Sequence, residues 1–242
     1  MSRDLLLLGA NAPEMELLRT RLARIGYRVV PAKTPEMAQT LLTIGGGRVG
    51  AVIVPADLPV VSLRGALGHL RSLQPALGFA AAGRDPGAEG RRRLRDAGVR
   101  IGLFDPIDLH ALRFQVNAAL AEGTPPARRS TRGTLRAPAD WKVVARSGGR
   151  DKEGRVYSIS PSGAFVVLPQ PWTLRSQVEL RWAHPATGTV QASGRVVMTN
   201  VPGNVVRRSL PHGMGLRFDQ LSDAASVALL MYSESSAQKL AV

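Results

Sequence analysis

The sequence contains no cysteine, which excludes disulfides, thiolate metal sites and a cysteine nucleophile. This absence fits a reducing compartment, and we expect a cytoplasmic protein. A run of four leucines at residues 5–8 is too short for a signal-peptide core or a membrane span. The histidines show neither metal-ligand spacing nor a Ser-His-Asp order; they are His69, His110, His184 and His212. We therefore predict a non-enzymatic protein without a metal site or a membrane segment.

Acidic residues are also scarce, since 18 aspartates and glutamates face 32 lysines and arginines, which gives a net charge of +14. Such a charge favours anionic partners without identifying one. Arginine is densest at residues 90–100, but aromatic residues make up only 5% of the chain and do not alternate with these arginines. Because base stacking needs aromatic side chains, we expect a solvated helix face there and do not expect nucleic acid as a partner.

A segment at residues 122–131 combines two prolines, two arginines and two threonines with a glycine and a serine. It separates two kinds of pattern and predicts a linker. Upstream, in residues 1–121, apolar runs alternate with stretches of helical spacing, which predicts a doubly wound parallel α/β domain. Downstream, in residues 132–242, short strand-like runs separated by Gly, Pro, Asn and Ser predict an antiparallel β-barrel. A terminal helix follows it, with Ser222 as its N-cap.

The alternation of strands and helices over residues 3–122 resembles a response-regulator receiver domain. The residues that such domains use for phosphorylation do not carry over. Gly9, Ala10 and Asn11 stand in place of the acidic pair that holds magnesium, and Pro55 stands in place of the phosphoacceptor aspartate. Asp57 lies two residues beyond the position of the phosphoacceptor aspartate. Asp105 stands where such domains have a lysine, and no hydroxyl side chain is found near Ala82, where such domains have one.

Phosphoryl transfer to a carboxylate needs that carboxylate, a metal ion and a cation on the product oxygens. We therefore predict a pseudo-receiver without a phosphorylation site. Its expected role is docking or dimerisation, with a homodimer formed through residues near 85–120.

Arginines and a serine-x-x-glycine turn form the main candidate site in the second half. Guanidinium groups grip phosphate oxygens bidentately and also pair with the O6 and N7 atoms of guanine. A turn with a hydroxyl and a glycine offers backbone donors and lets a ligand approach closely. The combination suits a phosphodiester ligand that bears purines.

The order RxxxR, about twenty residues, then SxSxxG, and finally "GMGLRF" before the last helix resembles the PilZ domain, the bacterial receptor module for cyclic di-GMP. The resemblance implies a small β-barrel with a terminal helix and cyclic di-GMP as its ligand. It implies that the nucleotide is bound by Arg128, Arg129, Arg132, Arg136, Ser158, Ser160 and Gly163. Ser158 replaces the aspartate or asparagine of the family, and this loss of a charge-assisted bond would cost about 1.5–3 kcal/mol.

Two functions remain open at this point. In the first, the protein is a cyclic di-GMP effector that signals to an unidentified protein partner through rearrangement of the linker and domains. In the second, it is a PilZ-like protein that no longer binds nucleotide and acts as an interaction scaffold in motility or pilus control.

Overall fold

The computed structural model describes residues 4–45, 47–122, 135–185, 187–206 and 210–242, without the side chains of residues 60–62. The chain divides into two compact units, Met1–Thr131 with Leu240–Val242 and Arg132–Lys239. The predicted linker at 122–131 lies outside the described residues except for Glu122. No helix of the described ranges is long and apolar enough to cross a membrane.

The first unit is a parallel sheet of five strands with helices between them. Its strands run in the order β2-β1-β3-β4-β5, which is the order of receiver and flavodoxin-like domains. The parallel α/β prediction for this half is confirmed. The strands are β1 (Asp4–Leu8), β2 (Val29–Ala32), β3 (Val49–Pro55), β4 (Gly78–Arg84) and β5 (Ile101–Asp105). The helices are α1 (Pro13–Arg24), α2 (Pro35–Ile44), α3 (Val60–Leu73), α4 (Gly87–Asp96) and α5 (Leu109–Glu122).

The four leucines of β1 show why this sheet is covered on both faces. Successive side chains of a strand point to opposite faces. Leu5 and Leu7 pack in one core with residues of α1 and α5, whereas Leu6 and Leu8 pack in another with residues of α2, α3 and α4. A strand buried on both faces is continuously apolar rather than alternating, which explains the leucine run.

The last three residues of the chain belong to the first unit and lie at the edge of β5. Ala241 forms an antiparallel bridge with Ile101. Gln115 of α5 donates a hydrogen bond from Nε2 to the carbonyl oxygen of Leu240 at 2.6 Å. Val242 is only 3% exposed and joins the apolar core. This tail therefore pairs part of an edge strand whose backbone groups would otherwise face solvent.

The second unit is a closed antiparallel barrel with strand order β10-β11-β8-β7-β6-β9, followed by a helix. Its core includes Trp182 and, from the helix, Ala225 and Leu229. Ser222 Oγ accepts a hydrogen bond from the Ala225 amide at 3.3 Å. The predictions of a barrel, a terminal helix and its serine cap are thus confirmed. The elements are β6 (Ala137–Ser147), β7 (Arg150–Ser160), β8 (Gly163–Val167), β9 (Gln177–His184), β10 (Gly188–Asn200), β11 (Gly213–Leu221) and α6 (Asp223–Leu240).

β7 was not among the strands predicted from the sequence, and the residues of its first half explain why. Its exposed positions include Asp151 and Glu153, and its half-buried positions are Lys152 and Gly154. No apolar side chain alternates with the charged ones until Val156. Because strand prediction depends on that alternation, the segment resembled a polar loop.

Candidate functional site

The serine-x-x-glycine motif forms the hairpin turn between β7 and β8. Ser160 pairs with Gly163, so Pro161 and Ser162 are the two connecting residues. The hydroxyl of Ser160 donates to the carbonyl oxygen of Gly163 at 3.3 Å and lies 3.1 Å from Ser162 Oγ. Ser160 is fully buried. Its hydroxyl therefore holds the turn in shape.

Strand packing requires a glycine at position 163, in addition to the ligand role inferred from the sequence. A Cβ atom at this position would lie 2.1 Å from the carbonyl oxygen of Leu216 in β11. Across the same strand pair, a Cβ on Gly213 would lie 2.1 Å from the carbonyl oxygen of Val166. Real Cβ atoms essentially never approach within 3.0 Å. The two glycines therefore allow β8 and β11 to lie side by side.

Arg136 directly precedes β6 and reaches the neighbouring strand. Its Nη1 atom donates a hydrogen bond to Ser158 Oγ at 3.3 Å. Pro138 pairs with Ser158 in the same β6–β7 ladder, which ends in the hairpin turn. Ser158 is 5% exposed. The fold thus brings Arg136, Ser158 and the turn residues Ser160 and Gly163 to the adjoining ends of two strands.

Three of the predicted arginines, Arg128, Arg129 and Arg132, lie outside the described residues. The described part of the site combines a guanidinium with a neutral hydroxyl acceptor. A guanidinium carries its donors in a planar fork that matches phosphate oxygens or a guanine edge. This chemistry is suited to an anionic, purine-bearing ligand.

Residues 126–235 match the family model described as the PilZ domain. This part of the chain is a PilZ domain. The first unit has the fold of CheY-like receiver domains, as its strand order shows. No curated protein matches the sequence.

Several solved structures are similar to the chain. The inhibitor of motility MotI/DgrA from Bacillus subtilis is 18% identical, with a TM-score of 0.40 over 48% of this chain and 57% of that one. This chain therefore covers less than two thirds of MotI/DgrA. A putative pilus assembly-related protein from Burkholderia pseudomallei is 21% identical, with a TM-score of 0.44 over 51% of this chain and 93% of that one. The chemotaxis protein CheY4 from Vibrio cholerae is 16% identical, with a TM-score of 0.41 over 49% and 99%. At these values none of them defines a function for this chain.

A bulge lies beside the site in the PilZ domain, and sequence reasoning did not find it. The β6–β7 register shifts between Pro138 and Trp141. Arg155 of β7 donates from Nε to Asp140 Oδ1 at 2.5 Å and from Nη2 to the Asp140 carbonyl oxygen at 2.7 Å. This hydrogen bond to the Asp140 carboxylate raises the pKa of Arg155 above its usual range. Tyr232 of α6 donates from its hydroxyl to the Pro138 carbonyl oxygen at 2.7 Å. No motif signals these contacts, because they join separate parts of the chain.

An aromatic cluster packs α6 of the PilZ domain against the barrel. The ring centroid of Trp141 lies 4.8 Å from that of Tyr232 and 5.1 Å from that of His184. Burial lowers the pKa of His184, since a charged imidazolium would lose its hydration here. Trp182 is buried in the barrel and stacks with Phe218 at 6.3 Å. These two tryptophans therefore contribute to packing in the present structure.

A separate open cleft of about 590 Å³ lies on the barrel between β10 and β11. Polar residues dominate its lining, among them Gln191, Ser193 and Gln220, and of the lining residues that the structure describes Asp219 is the charged one. Asp219 lies 3.9 Å from Arg217 Nη2, and a carboxylate in the lining disfavours a phosphate group beside it. This cleft is therefore less suited to a dinucleotide than the arginine-serine site.

The carboxyl ends of the receiver-like strands differ from a phosphorylation site in their described contacts. A Cβ on Gly9 would lie 2.9 Å from Pro55 Cγ, so the proline ring lies against the glycine after β1. Asp105 accepts a hydrogen bond from Arg21 Nη1 at 3.0 Å. Within the described ranges, no group of three or more His, Cys, Asp or Glu side chains could hold a metal ion. The absence of phosphorylation stays a prediction.

Proposed function

We propose that this protein is a non-enzymatic cyclic di-GMP effector whose nucleotide binds at Arg136, Ser158 and the β7–β8 turn. The observation that carries the proposal is the pairing of Arg136 with Ser158 beside a serine-x-x-glycine hairpin, inside a PilZ domain. Cyclic di-GMP combines two phosphates with two guanines, and arginine binds both groups well.

The predicted arginines and the residues of the turn have different roles in this proposal. Arg132 and Arg136 grip phosphate oxygens and the guanine edge. Arg128 and Arg129 close over the bound nucleotide from the segment that joins the two units. Ser160 and Gly163 shape the turn, a role supported by the hydroxyl bond to the Gly163 carbonyl and by the close approach of β11.

Ser158 sets the affinity of the proposed site. A serine hydroxyl makes fewer simultaneous hydrogen bonds than the carboxylate or amide of the family. Losing one charge-assisted bond costs about 1.5–3 kcal/mol, which is roughly ten- to a hundredfold in affinity. We expect weakened rather than abolished binding.

The effector role follows from the arrangement of the chain. Nucleotide binding rearranges the arginine-bearing segment and the two units that it joins, which is the kind of transition that hinge switches use. A protein partner, which the receiver-like unit docks, then reads the second-messenger level. That unit also provides the proposed homodimer contact.

A scaffold without nucleotide binding is the second candidate. The observation in its favour is Ser158 itself, which is buried and already accepts a hydrogen bond from Arg136. In that case both units serve as interaction surfaces in motility or pilus control.

Isothermal titration of the full chain with cyclic di-GMP decides between the two candidates. We expect saturable heat from the unchanged protein and a Kd raised about ten- to a hundredfold in Arg136→Ala and Arg132→Ala. The matched control is Arg146→Ala in β6 of the same domain, because Arg146 pairs instead with Asp151 at 3.5 Å. The effector function would be eliminated if no saturable heat is found even at nucleotide concentrations about a hundredfold above the low-micromolar range, which allows for the weakening by Ser158. Unchanged binding by Arg136→Ala would move the site elsewhere.

A further inference from the structure

The bulge in β6 separates the strand start beside Arg136 from the rest of the strand. Pro138 pairs with Ser158, and pairing resumes where Trp141 meets Val156. Two residues of β6 therefore oppose a single residue of β7. A bulge of this kind disrupts the ladder hydrogen bonds locally and bends the strand. On the Arg136 side of the bulge the ladder keeps two pairs, Ala137 with Ile159 and Pro138 with Ser158, so contacts that hold the bulge add to what positions Arg136.

Arg155 holds one end of the bulge from the neighbouring strand. It lies in the regular part of β7, where it pairs with Lys142 of β6 and Val167 of β8. Its guanidinium bonds both the carboxylate and the backbone carbonyl of Asp140. Two parallel bonds from a planar fork restrict orientation as well as distance. Asp140 is thereby held to β7 at Arg155, just before the point between Val156 and Ser158 where β7 has a register shift of its own against β8.

Tyr232 holds the other end from α6. Pro138 has no N–H group, so its carbonyl oxygen is its one backbone hydrogen-bonding atom. Tyr232 donates to that oxygen at 2.7 Å, while its ring packs against Trp141. Pro138 lies two residues after Arg136. Any shift of Pro138 would therefore change where the guanidinium lies relative to Ser158.

We propose that Arg155 and Tyr232 are positioning residues that clamp the β6 bulge and thereby fix Arg136 for ligand recognition. The ligand part of this inference rests on the proposed function. The clamp itself is a property of the PilZ domain without ligand, so it is tested separately.

Two conservative variants of the full chain test the clamp. Arg155→Met keeps an unbranched side chain but removes the guanidinium, and Tyr232→Phe keeps the ring but removes the hydroxyl. The control is Arg146→Met, because Arg146 and its partner Asp151 lie opposite each other on the same two strands, away from the bulge. Hydrogen exchange of residues 137–141 is measured without nucleotide, and the Kd for cyclic di-GMP is measured by titration. Tryptophan fluorescence shows whether each variant is folded. If Arg155→Met is not folded, the exchange and affinity measurements on Tyr232→Phe test the clamp.

We expect both variants to exchange faster at residues 137–141 and to bind cyclic di-GMP up to about tenfold more weakly. The control should change neither quantity. Unaltered exchange in both variants would overturn the clamp. Faster exchange with unaltered affinity would overturn the positioning role. If the unchanged protein does not bind cyclic di-GMP, the proposed function and the positioning role fail together, and the exchange data alone decide whether the clamp exists.

Discussion

Replacing Gly163 with alanine distinguishes a glycine needed for strand packing from one needed for ligand approach. The added Cβ would lie 2.1 Å from the carbonyl oxygen of Leu216, so β8 and β11 must separate by about 0.9 Å to reach even 3.0 Å. Overpacking of this kind costs about 1–3 kcal/mol. Weakening a ladder hydrogen bond beside the Gly163–Arg217 pair adds about 0.5–1.5 kcal/mol. We therefore expect the barrel to lose about 2–4 kcal/mol of stability.

Tryptophan fluorescence measures this loss in the full chain. All 3 tryptophans lie in the second unit, at positions 141, 172 and 182, so their emission reports unfolding of the PilZ domain alone. For a unit of this size, each 1 kcal/mol lowers Tm by about 4–8 °C. Gly163→Ala should therefore lower Tm by about 10 °C or more.

Gly215→Ala is the matched control for this substitution. Gly215 lies in β11, and a Cβ there would meet Met198 Cβ at 3.5 Å, which is ordinary van der Waals contact. Its Tm should change by a few degrees at most. The packing argument would be refuted if Gly163→Ala melts like the unchanged protein, above all if it has also lost cyclic di-GMP binding.

The sequence predicted the parts of the fold in which local pattern reflects burial. The continuous leucines of β1 correspond to a strand covered on both faces, and Ser222 does cap α6. Prediction failed where the local pattern does not reflect burial. The first half of β7 has polar or glycine residues on both faces, and the tail at Leu240–Val242 follows a helix but belongs to the other unit.

The motif residues of the site could be predicted from spacing, but their surroundings could not. Nothing local shows that the Ser160 hydroxyl bonds within its own turn or that Gly163 faces a carbonyl of β11. These facts depend on strand pairing between distant segments. The contact between Tyr232 and Pro138 spans 94 residues, and no periodicity of either segment encodes it. Its importance emerges only in the folded barrel, where Pro138 is the last paired residue of β6 before the bulge.

Two further predictions concern buried polar groups of the PilZ domain. Ser233 is fully buried, and within the described residues its hydroxyl has no hydrogen-bond partner. Ser233→Ala should therefore raise the unfolding free energy in urea by about 1 kcal/mol, and a loss of that size would show that the hydroxyl is bonded. His184, packed by Trp141 and Tyr232, has a pKa lowered by burial, so the folded state binds fewer protons than the unfolded state. The unfolding free energy should fall as the pH drops below about 6.5, the ordinary histidine pKa, and His184→Gln should reduce this slope. An unreduced slope in His184→Gln would assign the pH dependence to another group.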